Sequence, residues 1–126
     1  HTVLRADGGY GYCRLDPMQP FERFLPEARR LHEQAKHDSV MDDGADAAGL
    51  LFLSAIPWVR YTALMQPTPV PADSNPRITW GKYEACGEAV SLPVTLLANH
   101  ALADGLHLGR FYEALAAELA RLADSF

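Results

Sequence analysis

Between residues 21 and 35 the apolar positions recur at steps of three and four. Phe21, Phe24, Leu25, Ala28, Leu31 and Ala35 fall on one side, with Arg29, Arg30, Glu33, Gln34 and Lys36 mostly on the other. This is the period of an amphipathic helix with a solvated outer face. Pro20 suits its first turn. Pro26, inside the run, removes a backbone donor and crowds the preceding turn, so a kink or a restart is expected there. A second stripe, Leu108, Phe111, Leu115, Leu119 and Leu122, predicts a closing helix with Asp104 placed to cap its start.

Elsewhere the pattern is that of strands. "HTVLRADGGYGYCRL" reads as two strands joined by the turn "ADGG", and such an opening, on His1 rather than methionine, suggests that an upstream part of the chain is lost. "LLFLSAI" is a short buried strand, apolar except for Ser54, and is followed by Pro57 and Trp58. "MQPTPVPADSNP" is a rigid surface connection that cannot join a sheet interior. "RITWGKYEACGEAVSLPVTLLANHA" predicts two strands with a turn near "CGE", the second nearly all apolar and therefore central. No internal repeat is visible. The order of elements predicts an α/β fold, a two-layer sandwich with a mixed β-sheet and helices on one side.

At 126 residues and 48% hydrophobic, the chain suits one modest domain over residues 1–126. Eleven basic against sixteen acidic residues give a net charge of −5, and no basic track suits a phosphate backbone, so nucleic acid is not an expected partner. Cys13 and Cys86 make neither a disulfide framework nor a CxxC motif, which favours a reducing compartment. The longest apolar run, "AAGLLFLSAIPWV", is too short to span a bilayer and is broken by Pro57, and the N-terminus has no signal-peptide pattern. A soluble, cytoplasmic protein is expected. Asp42, Asp43 and Asp46 lie in the loop "VMDDGADAAG", which lacks the alternating ligands and closing glutamate of a calcium loop; no metal is expected.

The chemistry concentrates in "LLANHALADGLHLGR". His100 ends an apolar strand, and Asp104 and Gly105 start a helix four residues later. Histidine titrates near neutral pH and is the common general base for a hydroxyl or thiol. An aspartate at a helix start accepts backbone N–H bonds and can orient an arginine or histidine, while the glycine would allow close backbone packing. The pattern H-x-x-x-D-G is short, and by itself it fits a structural histidine beside a helix cap better than a base.

Three stretches, "AIPWVRYT", "PRITWGKY" and "SLPVTLLANHALADGLHLGRFYEAL", resemble in the same order the C-terminal part of the chloramphenicol acetyltransferase family. "YGYCRLDPMQPFERFLPEARRLHEQAK" is similar to that family's middle strand and following helix. The resemblance covers essentially the whole chain. It implies a trimer and CoA-dependent O-acetyl transfer, from acetyl-CoA to the hydroxyl of chloramphenicol or a similar small molecule, at sites between subunits. The same motif also occurs in dihydrolipoamide acyltransferases and condensation domains, so it does not choose the acceptor. By position, His100 matches the catalytic base, which deprotonates the acceptor hydroxyl for direct attack on the thioester without an acyl-enzyme. Asp104 matches an aspartate that orders the site through an ion pair, and Thr79 a threonine that holds a water near the transition state. Lys82 and Tyr83 lie where the family approaches coenzyme A, and a lysine there would meet a phosphate as a point charge. Trp58 and Tyr61 read as aromatic wall or core. His107 reads as a cap-region residue, and His32 and His37 as surface.

Three departures qualify this expectation. Asn99 stands where the family usually has the first histidine of a pair. Ala63, in "RYTAL", falls where the family carries a serine that donates to the developing oxyanion; loss of one such donor lowers the rate on the order of a hundred- to a thousandfold. Thr62 is a poor substitute, because neighbours on an extended segment point to opposite faces. The family's N-terminal portion, with much of the acceptor pocket and the arginine partner of the aspartate, is not represented, so a sheet edge or face is expected to be exposed. The alternative expectation is a catalytically weak relative that keeps the trimeric scaffold and binds a small ligand or CoA.

Overall fold

A computed structural model of the chain describes residues 1–37 and 49–124. The acidic positions Asp42, Asp43 and Asp46 lie outside the described residues. The expected opening hairpin forms: β1 (Thr2–Leu4) pairs antiparallel with β2 (Tyr10–Tyr12), Val3 opposite Gly11. Helix α1 (Phe21–Ala35) packs onto it. Val3, Cys13 and Ala35 are buried there, with Leu15 and Leu31 against them. Gly11 is a matter of space, because a Cβ at this position would stand 2.8 Å from the carbonyl oxygen of Ala35.

Helix α1 runs unbroken through Pro26, without the expected restart. The missing donor orphans only the carbonyl of Glu22, which lies in the exposed first turn where water can satisfy it. Pro20 stands just before the helix, and its carbonyl accepts the N–H groups of Arg23 at 3.0 Å and Phe24 at 2.9 Å.

The central sheet is mixed. β3 (Phe52–Ala55) runs parallel to β4 (Arg77–Trp80), and β4 pairs antiparallel with β7 (Val94–Leu97). β4 is therefore the middle strand, and the expectation that the apolar run "PVTLL" is central is corrected: among the described residues β7 is an edge. Its composition reflects cover on its faces, not strands on both sides. The outer edge of β7 is met by a side chain of helix α2 (Gly105–Ala123): the Tyr112 hydroxyl accepts from the Leu96 N–H at 3.2 Å and lies 3.3 Å from the Val94 carbonyl, to which it donates. Between β4 and β7 the sequence makes a separate hairpin, β5 (Glu84–Cys86) with β6 (Ala89–Ser91), turning at the predicted "CGE". Four short strands thus replace the two expected over this stretch.

Helix α2 covers the sheet face that carries Ile78 and Leu96, and a cleft of about 270 Å³ remains between them, lined also by Leu108 and Phe111. Leu108, Phe111, Leu115 and Leu122 of the predicted stripe are half-buried, but Leu119 is 49% exposed. Trp58, expected as wall or core, is 71% exposed. His32, expected at the surface, is half-buried, its Nδ1 3.3 Å from His1 Nε2. Among the described residues no helix is long and apolar enough to cross a membrane.

The chain presents 9580 Å² of accessible surface, against about 6,700 Å² for a compact folded monomer of this mass. Large apolar side chains lie on this surface, among them Leu4, Leu51, Val59, Met65, Leu102 and Leu106. Such surface favours association. Light scattering after size exclusion is expected to return species heavier than 13.9 kDa for the 126-residue chain; a monodisperse monomer would overturn this.

Candidate active site

The parallel pairing of β3 with β4 brings the segment after β3 across the end of β4, and a tight junction fixes it there. The Tyr61 hydroxyl donates to the Thr79 carbonyl at 2.8 Å, and the N–H of Lys82 donates to the Val59 carbonyl at 2.9 Å. Gly81 lies beneath, its N–H on the Pro93 carbonyl at 3.0 Å. A Cβ on Gly81 would meet Val59 O and Pro93 Cγ at 2.8 Å and Tyr61 Cε1 at 2.9 Å. Tyr61 is thus a clamp between three chain segments. Thr62 and Ala63, which follow it, are both exposed.

Thr79 sits in the middle of β4, between Ser54 and Thr95 in register, and is 1% exposed. Its hydroxyl is engaged by the Gln66 side-chain amide, and Gln66 Oε1 is buried with no hydrogen-bond partner. Gln66 was not singled out in the sequence; it lies in the proline-rich connection, where nothing in spacing signals that a side chain folds back onto the sheet. Lys82 and Tyr83 are exposed on the loop between β4 and β5. The ammonium of Lys82 makes no ion pair among the described residues, whereas nearby Glu84 is taken by Arg60 at 2.7 Å.

His100 is exposed on the turn that follows β7. It lines a cleft of about 200 Å³ with Thr68, Ala72, Asp73, Arg77, Leu97 and Asn99. Arg77 closes one wall through a two-pronged ion pair with Asp73 (2.9 and 2.5 Å), its guanidinium 5.6 Å from the centre of the Phe52 ring. This pair holds the Asp73 carboxyl below the usual aspartate range, chiefly through the side-chain hydrogen bond from Arg77. Neither Asp73 nor Arg77 was a candidate on sequence, because a lone Asp-x-x-x-Arg in a loop is not distinguishable from surface charge. Tyr61, Ala63, Thr79, Lys82 and Tyr83 are not among the residues that line this cleft.

Asp104 caps α2. Its Oδ1 accepts the N–H of Leu106 at 3.1 Å and of His107 at 3.3 Å. His107 reciprocates: its Nδ1 is 2.7 Å from Asp104 Oδ1 and 3.2 Å from the Asp104 amide nitrogen. With a proton on Nδ1 the ring donates to the carboxylate, and without one it accepts from the amide. Gly105 is not the close-packing glycine expected of the motif, since a Cβ there would meet nothing within 4 Å. Among the described residues no group of three or more His, Cys, Asp or Glu side chains is arranged to hold a metal ion.

The sequence model of the chloramphenicol acetyltransferase family matches residues 13–116. This chain belongs to that family. A chloramphenicol acetyltransferase from Klebsiella sp. is 38% identical over 69 residues, 52% of this chain and 31% of the relative. Chloramphenicol acetyltransferase 3 of Escherichia coli is 29% identical over 96 residues, 75% of this chain and 45% of the relative. Among solved structures, a chloramphenicol acetyltransferase superposes with a TM-score of 0.74 at 24% identity, over 89% of this chain and 56% of that one, a likeness of fold. The chain thus spans about a third to a half of the length of these curated relatives. The match covers β3, β4, β7 and the start of α2, the elements that carry Thr79, His100 and Asp104.

Two predictions follow from this geometry. Gly81→Ala is expected to destabilise the fold by about 1–3 kcal/mol, because its contacts are backbone and ring atoms that cannot move aside, while Gly105→Ala leaves the thermal midpoint nearly unchanged. Equal midpoints for the two variants would refute the assignment. The Asp104 carboxyl is held below its ordinary value of 3.8, first by the side-chain hydrogen bond from His107 and next by the His107 backbone N–H. A depressed folded-state pKa contributes stability that is present above 3.8 and lost as pH falls through the depressed value. Protection of the Leu106 and His107 amides, taken relative to their intrinsic exchange rates, should therefore fall on acidification in that window, and Asp104→Asn should remove this loss of protection.

Proposed function

We propose that the protein serves CoA-dependent O-acetyl transfer, residues 1–126 acting as the C-terminal portion of a chloramphenicol acetyltransferase-type domain, with His100 as general base. The observation that carries the reading is His100 itself, presented to solvent beside a cleft on a turn anchored to the sheet. The imidazole takes the proton of an acceptor hydroxyl. The oxygen attacks the thioester carbonyl of acetyl-CoA directly, and the tetrahedral adduct collapses with cleavage of the C–S bond. The departing thiolate takes that proton back from the imidazolium, giving free CoA as its thiol, an acetyl ester and the neutral His100 imidazole. Chloramphenicol or a similar small hydroxyl compound is the acceptor, and acetylating such an antibiotic would give resistance in the cytoplasm.

Lys82 is suited to a CoA phosphate as a point charge, with Tyr83 beside it on the same exposed loop. Asp104 orders the motif by fixing the start of α2. None of Tyr61, Ala63, Thr79, Lys82 or Tyr83 lines the cleft at His100, which supports a homotrimer with active sites between subunits, where a second chain would bring such residues to it.

A second reading, a weak or inactive relative that retains ligand or CoA binding, is favoured by one pair of observations. Ala63 offers no hydroxyl, and the Thr79 hydroxyl is buried under Gln66 where it cannot hold a water for the reaction. Thiol release from acetyl-CoA in the presence of chloramphenicol separates the two. Turnover that falls by about a hundred- to ten-thousandfold in His100→Ala supports the first reading, as expected on losing a general base. Calorimetric binding of CoA with no thiol release supports the second, and turnover unaffected by His100→Ala removes the assigned role.

A further inference from the structure

We infer that Asn99 is a positioning residue for His100, working through the anchored Asp73 segment; the inference rests on the reading of His100 as the base. Asn99 immediately precedes His100 and is half-buried where its neighbour is exposed. Its side chain divides its two functions. Nδ2–H donates to the Asp73 carbonyl at 3.0 Å, 26 residues away in sequence, and Oδ1 accepts the Ala101 N–H at 3.0 Å. Its backbone carbonyl also takes the N–H groups of Leu102 at 2.9 Å and Ala103 at 3.1 Å. The three residues after His100 are thus all tied to the residue before it, and that residue is tied to a separate segment.

The anchor is itself held. The Asp73 carboxylate is gripped by both arms of the Arg77 guanidinium, which also donates to the Asn75 carbonyl at 3.1 Å. Asn75, 6% exposed, donates to the Leu50 carbonyl at 2.8 Å. Arg77 is the first residue of β4, paired with Phe52 on one side and Leu97 on the other. A path of hydrogen bonds therefore runs from the sheet through Arg77, Asp73 and Asn99 to the turn that carries His100. An exposed imidazole on an untethered turn would sample many positions, and displacement by about 1 Å from a productive geometry can lower a rate on the order of a hundredfold. An asparagine does what no single donor or acceptor can do here, because the site needs an N–H toward Asp73 and an acceptor toward Ala101.

Two variants test this. Asn99→Ala removes both side-chain bonds. Asn99→Asp keeps the shape and the acceptor for Ala101 but sets a carboxylate against the Asp73 carbonyl. Amide exchange at Ala101 and NMR order parameters of the His100 ring read positioning whether or not the protein turns over. Faster exchange at Ala101 in Asn99→Ala but not in Asn99→Asp, with a more mobile His100 ring in both, is the expected result. Where acetyl transfer is measurable, both variants should lose kcat by about ten- to a hundredfold at temperatures where they are fully folded, with KM for acetyl-CoA little changed. An unchanged His100 ring in both folded variants overturns the inference. So does full kcat in Asn99→Ala when His100→Ala is inactive. Absence of turnover in the unmodified protein would count against the proposed function and leave the NMR comparison to decide this one.

Discussion

Strand β4 is the one strand among the described residues that is paired on both edges, parallel to β3 and antiparallel to β7. Its register fixes what every other part can do. It sets Thr79 in a closed position between Ser54 and Thr95, and it delivers the chain at Gly81 into contact with Val59, Tyr61 and Pro93. It also starts at Arg77, whose guanidinium holds the loop before it. The antiparallel partner β7 leaves the sheet at the same end as Arg77, which is why the turn with Asn99 and His100 comes to lie against the Asp73 segment.

Two carboxylates near the candidate site are already engaged. Asp73 is paired with Arg77, and Asp104 is hydrogen-bonded at the start of α2. His100 and Lys82 are exposed, one following β7 and the other following β4, on opposite ends of the antiparallel pair. The two side chains therefore stand apart, and large apolar side chains such as Met65, Leu102 and Leu106 are exposed.

The elements with strong periodicity were legible before any coordinates. Helix α1 was visible from Phe24, Leu25, Ala28, Leu31 and Ala35, the opening hairpin from its glycine turn, and the cap of α2 from Asp104. The position of β7 in the sheet was not. Apolar residues on a strand report that its faces are covered, and cover by helix α2 gives the same composition as a place in the centre. Pro26 predicts a kink or restart from its local cost, but the carbonyl it orphans lies in an exposed turn and the helix continues. Trp58 is exposed, which removes the core half of the reading as wall or core that residue type supports. At the site, the motif drew attention to His100 and Asp104, but Gln66, Asp73 and Arg77 were invisible. Gln66 and Arg77 reach Thr79 and Phe52, 13 and 25 positions away, Asp73 meets Asn99, 26 positions away, through a backbone carbonyl that any residue offers, and the Asp73–Arg77 pair at four positions looks like ordinary surface charge.

What the sequence determined by itself was the family, the helices and the residues with reactive side chains, since each depends on residue type and short spacing. Only the tertiary structure decided which of those side chains are free. Thr79 and Tyr61 carry hydroxyl groups suited to a substrate, yet both are engaged by other segments of the chain, while His100 is exposed on its turn and its neighbour Asn99 makes the bonds to Asp73 and Ala101. Hydrogen-bond capacity is written in the sequence. Its satisfaction depends on segments that meet only when β3, β4 and β7 are aligned.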